Sequence, residues 1–207
     1  MSSRDVKITY VNNSLNEDMP SIFVFTQNEL ASFNAIRDGV AWRVIKNIGR
    51  NSRSSFVFPS QTSIKATWEG GANETNQLLC EVGKRYTVQK NATGIVLQQD
   101  GNAISPMDIE LMNNIQMNKG ISALLLKGDN VIVKKNIVAY EQKATFQLAP
   151  KIYWGIASEI QVSQSISSAV LDSNVFFEQD LANVSAATVS LNGNAEIGYN
   201  FQIEHQE

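Results

Sequence analysis

The segment that most constrains the fold is residues 144–159, Ala-Thr-Phe-Gln-Leu-Ala-Pro-Lys-Ile-Tyr-Trp-Gly-Ile-Ala-Ser-Glu, the densest apolar and aromatic stretch of the chain. Phe146 and Leu148 alternate with Thr145 and Gln147, the two-residue period of a strand with one buried face. Pro150 has no amide hydrogen for a ladder, so it marks a strand start or bend before Ile152-Tyr153-Trp154 resume the extended chain. Phe56-Val57-Phe58-Pro59, followed by Ile64, Ala66 and Trp68, has the same rhythm earlier in the chain. The two places read as the centres of two related halves.

The remaining chain is cut into similar pieces. Val6, Ile8 and Tyr10 alternate with Lys7 and Thr9 and end in Asn12-Asn13-Ser14, a strand and its turn. Ile22-Phe23-Val24-Phe25 is a second short run of β-formers, expected to pair antiparallel with residues 6–11. Only residues 27–38 carry helical spacing, with Leu30, Phe33 and Ile36 behind an Asn28 cap. Residues 40–44 return to alternation, Trp42 inward and Arg43 outward. Residues 78–82, 86–89 and 95–98 read as strands joined by Gly83-Lys84 and Asn91-Ala92-Thr93-Gly94. Asp100-Gly101 reads as a turn closing the first half.

A second pass then begins. Asp108-Ile109-Glu110-Leu111-Met112-Asn113-Asn114 repeats the cadence of Lys7-Ile8-Thr9-Tyr10-Val11-Asn12-Asn13, and each is followed by a polar interval and another apolar strand. Further strands are expected at 131–133, 137–140, 145–148, 152–156, 167–171, 175–178, 188–191 and 197–203, with Gly128-Asp129 and Asn192-Gly193 as hairpin-type turns. Turn signals every 8–12 residues define an all-β chain. The expected architecture is two tandem, closely packed antiparallel β-sandwich halves, 1–104 and 105–207, with a shared core and a boundary near residues 102–106.

Composition narrows the function classes. A net charge of −3, with no run of Lys or Arg longer than two, gives nucleic acid little to hold. With 43% hydrophobic and 18% charged residues, the chain is globular, its surface carried by Asn, Ser, Gln and Thr. No apolar run is long enough for a transmembrane helix, and the N-terminus lacks the apolar core of a secretion signal. The expectation is a cytoplasmic protein as synthesised, released if at all by a non-classical route.

Raw material for catalysis is sparse. Cys80 is the single cysteine and its flank, Leu78-Leu79-Cys80-Glu81-Val82, is apolar, so it reads as a small buried hydrophobe rather than a reactive thiol. His205 is the single histidine and sits near the C-terminus, where chains fray. Asp100-Gly101-Asn102 and Asp129-Asn130 lack the glutamate that completes a calcium loop. No enzyme activity, metal or cofactor is therefore expected.

Binding is the alternative. Arg50 and Arg53 on a polar loop can hold an anion, with an ordinary solvated loop as the simpler reading. Trp68, Tyr153 and Trp154 can form an aromatic platform for a glycan, or they fill a core. Residues 158–173, low in charge, are the nearest candidate for a membrane-inserting hairpin of a toxin-like module. An amide-rich surface with many strands also suits self-association or a protein partner, since unguarded edges pair.

Ile8-Thr9-Tyr10-Val11-Asn12-Asn13-Ser14, the Ala41-Trp42 pair and Pro150-Lys151-Ile152-Tyr153-Trp154 resemble the pattern of the bacterial rhizosphere-induced RhiA proteins and their uncharacterised relatives. The resemblance spans most of the chain, although residues 74–99 are more aliphatic and poorer in Trp and Gly than the family's middle portion. It implies a bacterial, soluble, β-rich protein and carries over no catalytic residue. The expected function is non-catalytic surface interaction, through partner binding or self-assembly, with a glycan- or membrane-binding toxin-like module as the alternative.

Overall fold

A computed structural model describes residues 4–15, 21–30, 39–166 and 176–207. Among them the chain is all β, with one 3-10 turn at Glu69–Gly71. The strands run β1 (Val6–Asn12), β2 (Ser21–Phe25), β3 (Arg43–Ile45), β4 (Arg53–Phe58), β5 (Thr62–Trp68) and β6 (Asn73–Glu74). They continue with β7 (Leu78–Cys80), β8 (Lys84–Asn91), β9 (Gly94–Asn102), β10 (Ile109–Asn113), β11 (Ile121–Lys127) and β12 (Asn130–Val138). The last are β13 (Lys143–Phe146), β14 (Lys151–Ala157), β15 (Phe177–Asp180), β16 (Ala186–Asn194) and β17 (Gly198–Gln206).

These strands form two compact units. Unit 1 takes Met1–Thr26, Ala41–Ser60 and Pro150–Glu207, and unit 2 takes Gln27–Val40 and Gln61–Ala149. The segments interleave along the chain, and residues 102–106, read from sequence as a boundary, run within unit 2.

Unit 1 holds two sheets, ordered β17-β16-β1-β4 and β15-β14-β2-β3. Alternation works as the sequence implies in β1, where Val6, Ile8, Tyr10 and Asn12 are buried. The two sheets meet face to face at Trp154 of β14, whose ring lies 6.2 Å from Tyr10 of β1, 6.1 Å from Phe56 of β4 and 5.9 Å from Phe201 of β17. Every residue of β2 is buried, so its continuous apolar run reflects cover on both faces. Trp42 is buried and meets Phe58 edge-on at 5.0 Å, whereas Arg43, expected to point outward, lies with its guanidinium 5.6 Å from the Phe56 ring.

Gly155 marks the tightest point of this core. A β-carbon there would overlap the ring of Phe23 on the adjacent strand, to which Gly155 is directly opposed. Gly155→Ala should therefore destabilise by about 1–3 kcal/mol, the usual effect of an extra carbon in a filled core. Urea denaturation of the variant measures this, and an unchanged midpoint would show that Phe23 can move aside.

Unit 2 contains the sheets β13-β10-β8-β9 and β12-β11-β5-β6, with β7 also paired to β5. Ile109 and Leu111 of β10, Tyr86 and Val88 of β8 and Phe146 of β13 are buried in the first, Ile64 and Leu125 in the second. Within this unit buried Asn28 fastens the Gln27–Val40 segment to β13 and the residue after it, its Nδ2 donating to Thr145 O and its Oδ1 accepting from Gln147 N. Asn28 Oδ1 also accepts the amide of Leu30 at 3.4 Å, the bond a cap would make. The helical turn expected over 27–38 lies outside the described residues from 31 onward, as does the strand expected at 167–171.

Two pairings differ from the sequence reading. β1 and β2 belong to different sheets and do not pair with each other. Asn192-Gly193 lies inside β16, and the hairpin turns after it, where Asn194 Oδ1 accepts from the amides of Glu196 and Ile197. Gly193 is nevertheless required, since a β-carbon there would strike the Gly198 carbonyl across the ladder.

Candidate functional site

The residues expected from sequence to bind a ligand are not gathered in one place. Arg50 and Arg53 are exposed in unit 1, beside a turn pinned by buried Asn12, whose Nδ2 donates to Ile48 O and whose carbonyl accepts from Asn51 N. Neither arginine has an ion-pair partner among the described residues. Trp68 is half-buried at the end of β5 in unit 2, where its backbone pairs with Asn73. Tyr153 is buried and stacks on Phe25 at 5.2 Å. Trp154 is fully buried, with its indole nitrogen donating to Gln179 Oε1 at 2.9 Å. Both aromatics of β14 thus fill the core of unit 1.

The clearest shifts among the titratable groups come from burial and from ion pairing. Burial pushes the Cys80 thiol up to about 12, opposed weakly by the Lys127 charge, so thiolate is scarce near neutral pH. Burial also raises the Tyr10 phenol, with Tyr199 adding to the effect. Glu178 is held below the ordinary carboxylate range by the hydrogen bond from Lys151, with the Tyr153 hydroxyl contributing less. His205, expected at a fraying end, lies in the β16–β17 ladder opposite Thr188, exposed and 3.6 Å from Glu207. The buried carboxylate Glu110 pairs with Lys143 and accepts the amide of Ile104, which ties the 103–108 loop to β10.

Two exposed features escaped the sequence reading. The first is a pair of long outer strands. β9 and β17, nine residues each, are outer strands among the described residues, each laddered to one strand, β8 or β16. Residues 94–99 and 198–203 carry no charge and no proline. Only beyond them does each strand bulge, at Asp100-Gly101 opposite Arg85 and at Glu204, where the acid side chain accepts the hydroxyl of Thr87 or Ser190. By contrast, the nine-residue outer strand β12 carries Lys134 and Lys135.

The second feature is an apolar loop pair in unit 2. Gly83 N donates to Asp108 O at 2.6 Å and Ala103 N to Gly83 O at 2.9 Å, which laces two loops together. On and beside them Ile104 is 84% exposed, Leu79 65%, Met107 58% and Val82 56%. Isoleucine and methionine inside a Ser- and Pro-containing connection were the available sequence signal. The periodicity argument discards them because loops carry no period.

The geometry defines an all-β, sandwich-type protein. No family model matches the chain, no curated protein matches it, and no solved structure matches it. No described helix is long and apolar enough to cross a membrane, and among the described residues no group of three or more His, Cys, Asp or Glu is placed to hold a metal ion.

Proposed function

We propose that this chain is a non-catalytic bacterial protein that works through its surface, pairing exposed strand edges with copies of itself or with a partner chain. The observation that supports this reading is the uncharged, regular, six-residue run in both β9 and β17, which among the described residues are outer strands of their sheets. An outer strand offers a row of unpaired amides and carbonyls, and charge or proline is the usual guard against another strand docking there. These two runs have neither. Their bacterial setting rests on the resemblance to RhiA-like proteins.

Light scattering on a size-exclusion column tests the self-pairing form. The wild-type mass should rise above 22.9 kDa with concentration, whereas the double variant Gln99→Lys, Ile203→Lys should stay near that mass with an unchanged melting point. Both positions are exposed. A wild-type chain at 22.9 kDa at every concentration would overturn self-pairing.

The apolar loop pair favours a second reading, docking on a lipid surface. Co-sedimentation with phosphatidylcholine vesicles, lost on Ile104→Ser, would move the weight to it. A glycan platform has less support, because Tyr153 and Trp154 are in the core. The toxin-like hairpin expected over 158–173 has none in its described part, where residues 158–166 form turns rather than a strand.

A further inference from the structure

The hydrogen-bond registers of the two units agree for every strand but the two-residue β6, which has no counterpart in unit 1. In unit 1, β1 is parallel to β16 and antiparallel to β4, and β16 is antiparallel to β17. In unit 2, β10 is parallel to β8 and antiparallel to β13, and β8 is antiparallel to β9. The second sheets agree as well. Trp154 opposes Val24 and Phe177 in one, and Ile64 opposes Leu125 and Leu78 in the other.

Irregular features agree too. Asn12 Nδ2 donates to Ile48 O, and Asn113 Nδ2 to Val138 O. The Oδ1 of each accepts the amide two residues on, Ser14 or Ile115. The backbone of Asn12 bonds to Ser52 O and Asn51 N, that of Asn113 to Gln142 O and Glu141 N. Asn51 and Glu141 both take a positive φ, 62° and 59°, which asparagine tolerates and glutamate seldom adopts. The next amides, of Asn13 and Asn114, reach Leu191 O and Val88 O on the parallel neighbours. On the outer strands the two bulges carry the two acids Asp100 and Glu204, each receiving a hydroxyl from the strand beside it.

Chain order separates what these registers join. β1–β4 lie in unit 1, β5–β9 and β10–β13 in unit 2, and β14–β17 back in unit 1. Each repeat of the strand series therefore begins in one unit and ends in the other. We infer that the chain is a duplicated half whose two copies have exchanged their closing strands, so that the surface presented by β1–β4 is shaped for the closing strands of another copy of its own half. Exchange of identical elements is the ordinary route by which two copies of a chain interlock. Here the two copies are fused. The crossings that lead into the closing strands fall at Pro59-Ser60-Gln61 and Ala149-Pro150, and each contains a proline, which holds the chain extended and denies it the amide needed to turn back into the ladder it leaves; the Gln27–Val40 segment also belongs to unit 2, and its ends carry no proline.

A nick between the halves tests the interlock in the full chain. A protease site is inserted between Ser105 and Pro106, in a Cys80→Ala background that also carries Thr67→Cys and Ser122→Cys. Positions 67 and 122 are opposed in the β5–β11 ladder and lie on different sides of the nick. After native cleavage the two fragments should elute together at about the uncut mass. On a non-reducing denaturing gel they should stay linked, and reductant should release two bands of half size. Fragments that part under native conditions into two folded species would overturn the interlock, as would the absence of the cross-link in cut protein that still melts like the uncut chain.

Discussion

Trp154→Ala should destabilise the protein by about 4–5 kcal/mol, at the upper end for a buried tryptophan. The ring has no exposed surface and touches aromatic side chains from three strands of the facing sheet, on β1, β4 and β17. Those strands are fixed by their own ladders, so the cavity cannot collapse freely. A second cost adds to the first. Gln179 is buried, and Trp154 is the donor to its Oε1, so the truncation strands a polar oxygen. Trp154→Phe separates the contributions, because it keeps much of the volume and still orphans Gln179, and it should cost about 1–3 kcal/mol. Urea denaturation of both variants gives the comparison. A Trp154→Ala protein with an unchanged midpoint and a lost ligand would make this residue a binding group after all.

Asn12→Ala and Asn113→Ala should each cost about 2–4 kcal/mol, and by similar amounts. Either truncation leaves a carbonyl without its donor, Ile48 O or Val138 O, and an amide without its acceptor, Ser14 N or Ile115 N. Each orphaned group costs about 1–3 kcal/mol where it is buried; Ile48 O and Ile115 N are part-buried, and Asn12→Ala also removes the acceptor of the Ser14 hydroxyl. Both asparagines are buried at the end of a strand, so water does not readily replace the lost partner. The similarity is the informative part. If one variant is near neutral and the other severe, the two turns are not equivalent and the duplicated-half reading fails. Any surface interaction should survive in the folded fraction of both variants, since neither asparagine reaches solvent.

Local signals carried much of this fold. The alternation around Phe146, the Asn-Asn endings and the turn at Asn91-Ala92-Thr93-Gly94 mark where strands stop, because period and turn chemistry act over a few residues. Pairing is not local. Residues 6–11 and 21–25 looked like a hairpin, yet β1 finds its partners at β4 and β16, and no pattern within β1 encodes a partner so far along the chain. The Asn192-Gly193 dipeptide misled for a related reason: the close approach of the Gly198 carbonyl demands glycine inside a strand, and the sequence does not distinguish that demand from a turn. The candidate surfaces were least legible. Whether an aromatic such as Trp154 lines a core or a platform depends on what faces it, and an edge is an edge only once the sheet order is known. Arg50 lies on an exposed turn, which polar runs with Gly and Asn announce directly, whereas Arg53, expected on the same loop, opens β4 opposite Val11.

The interleaving of the units also sets a timetable. A ribosome releases the chain at about 5–20 residues per second, and domains ordinarily fold as they emerge. All strands of unit 2 are contiguous from β5 to β13, so that unit can close while the last quarter of the protein is still being made. β1 and β2 have no such opportunity. The parallel neighbour of β1, β16, and the central partner of β2, β14, are among the last strands synthesised. For roughly 6–35 seconds, at those rates, the most apolar strands of the N-terminus wait with their ladders half made. A newborn chain is therefore most vulnerable at its oldest end, and a pause or truncation late in translation would strand β1–β4 beside neighbouring nascent chains that lack the same strands.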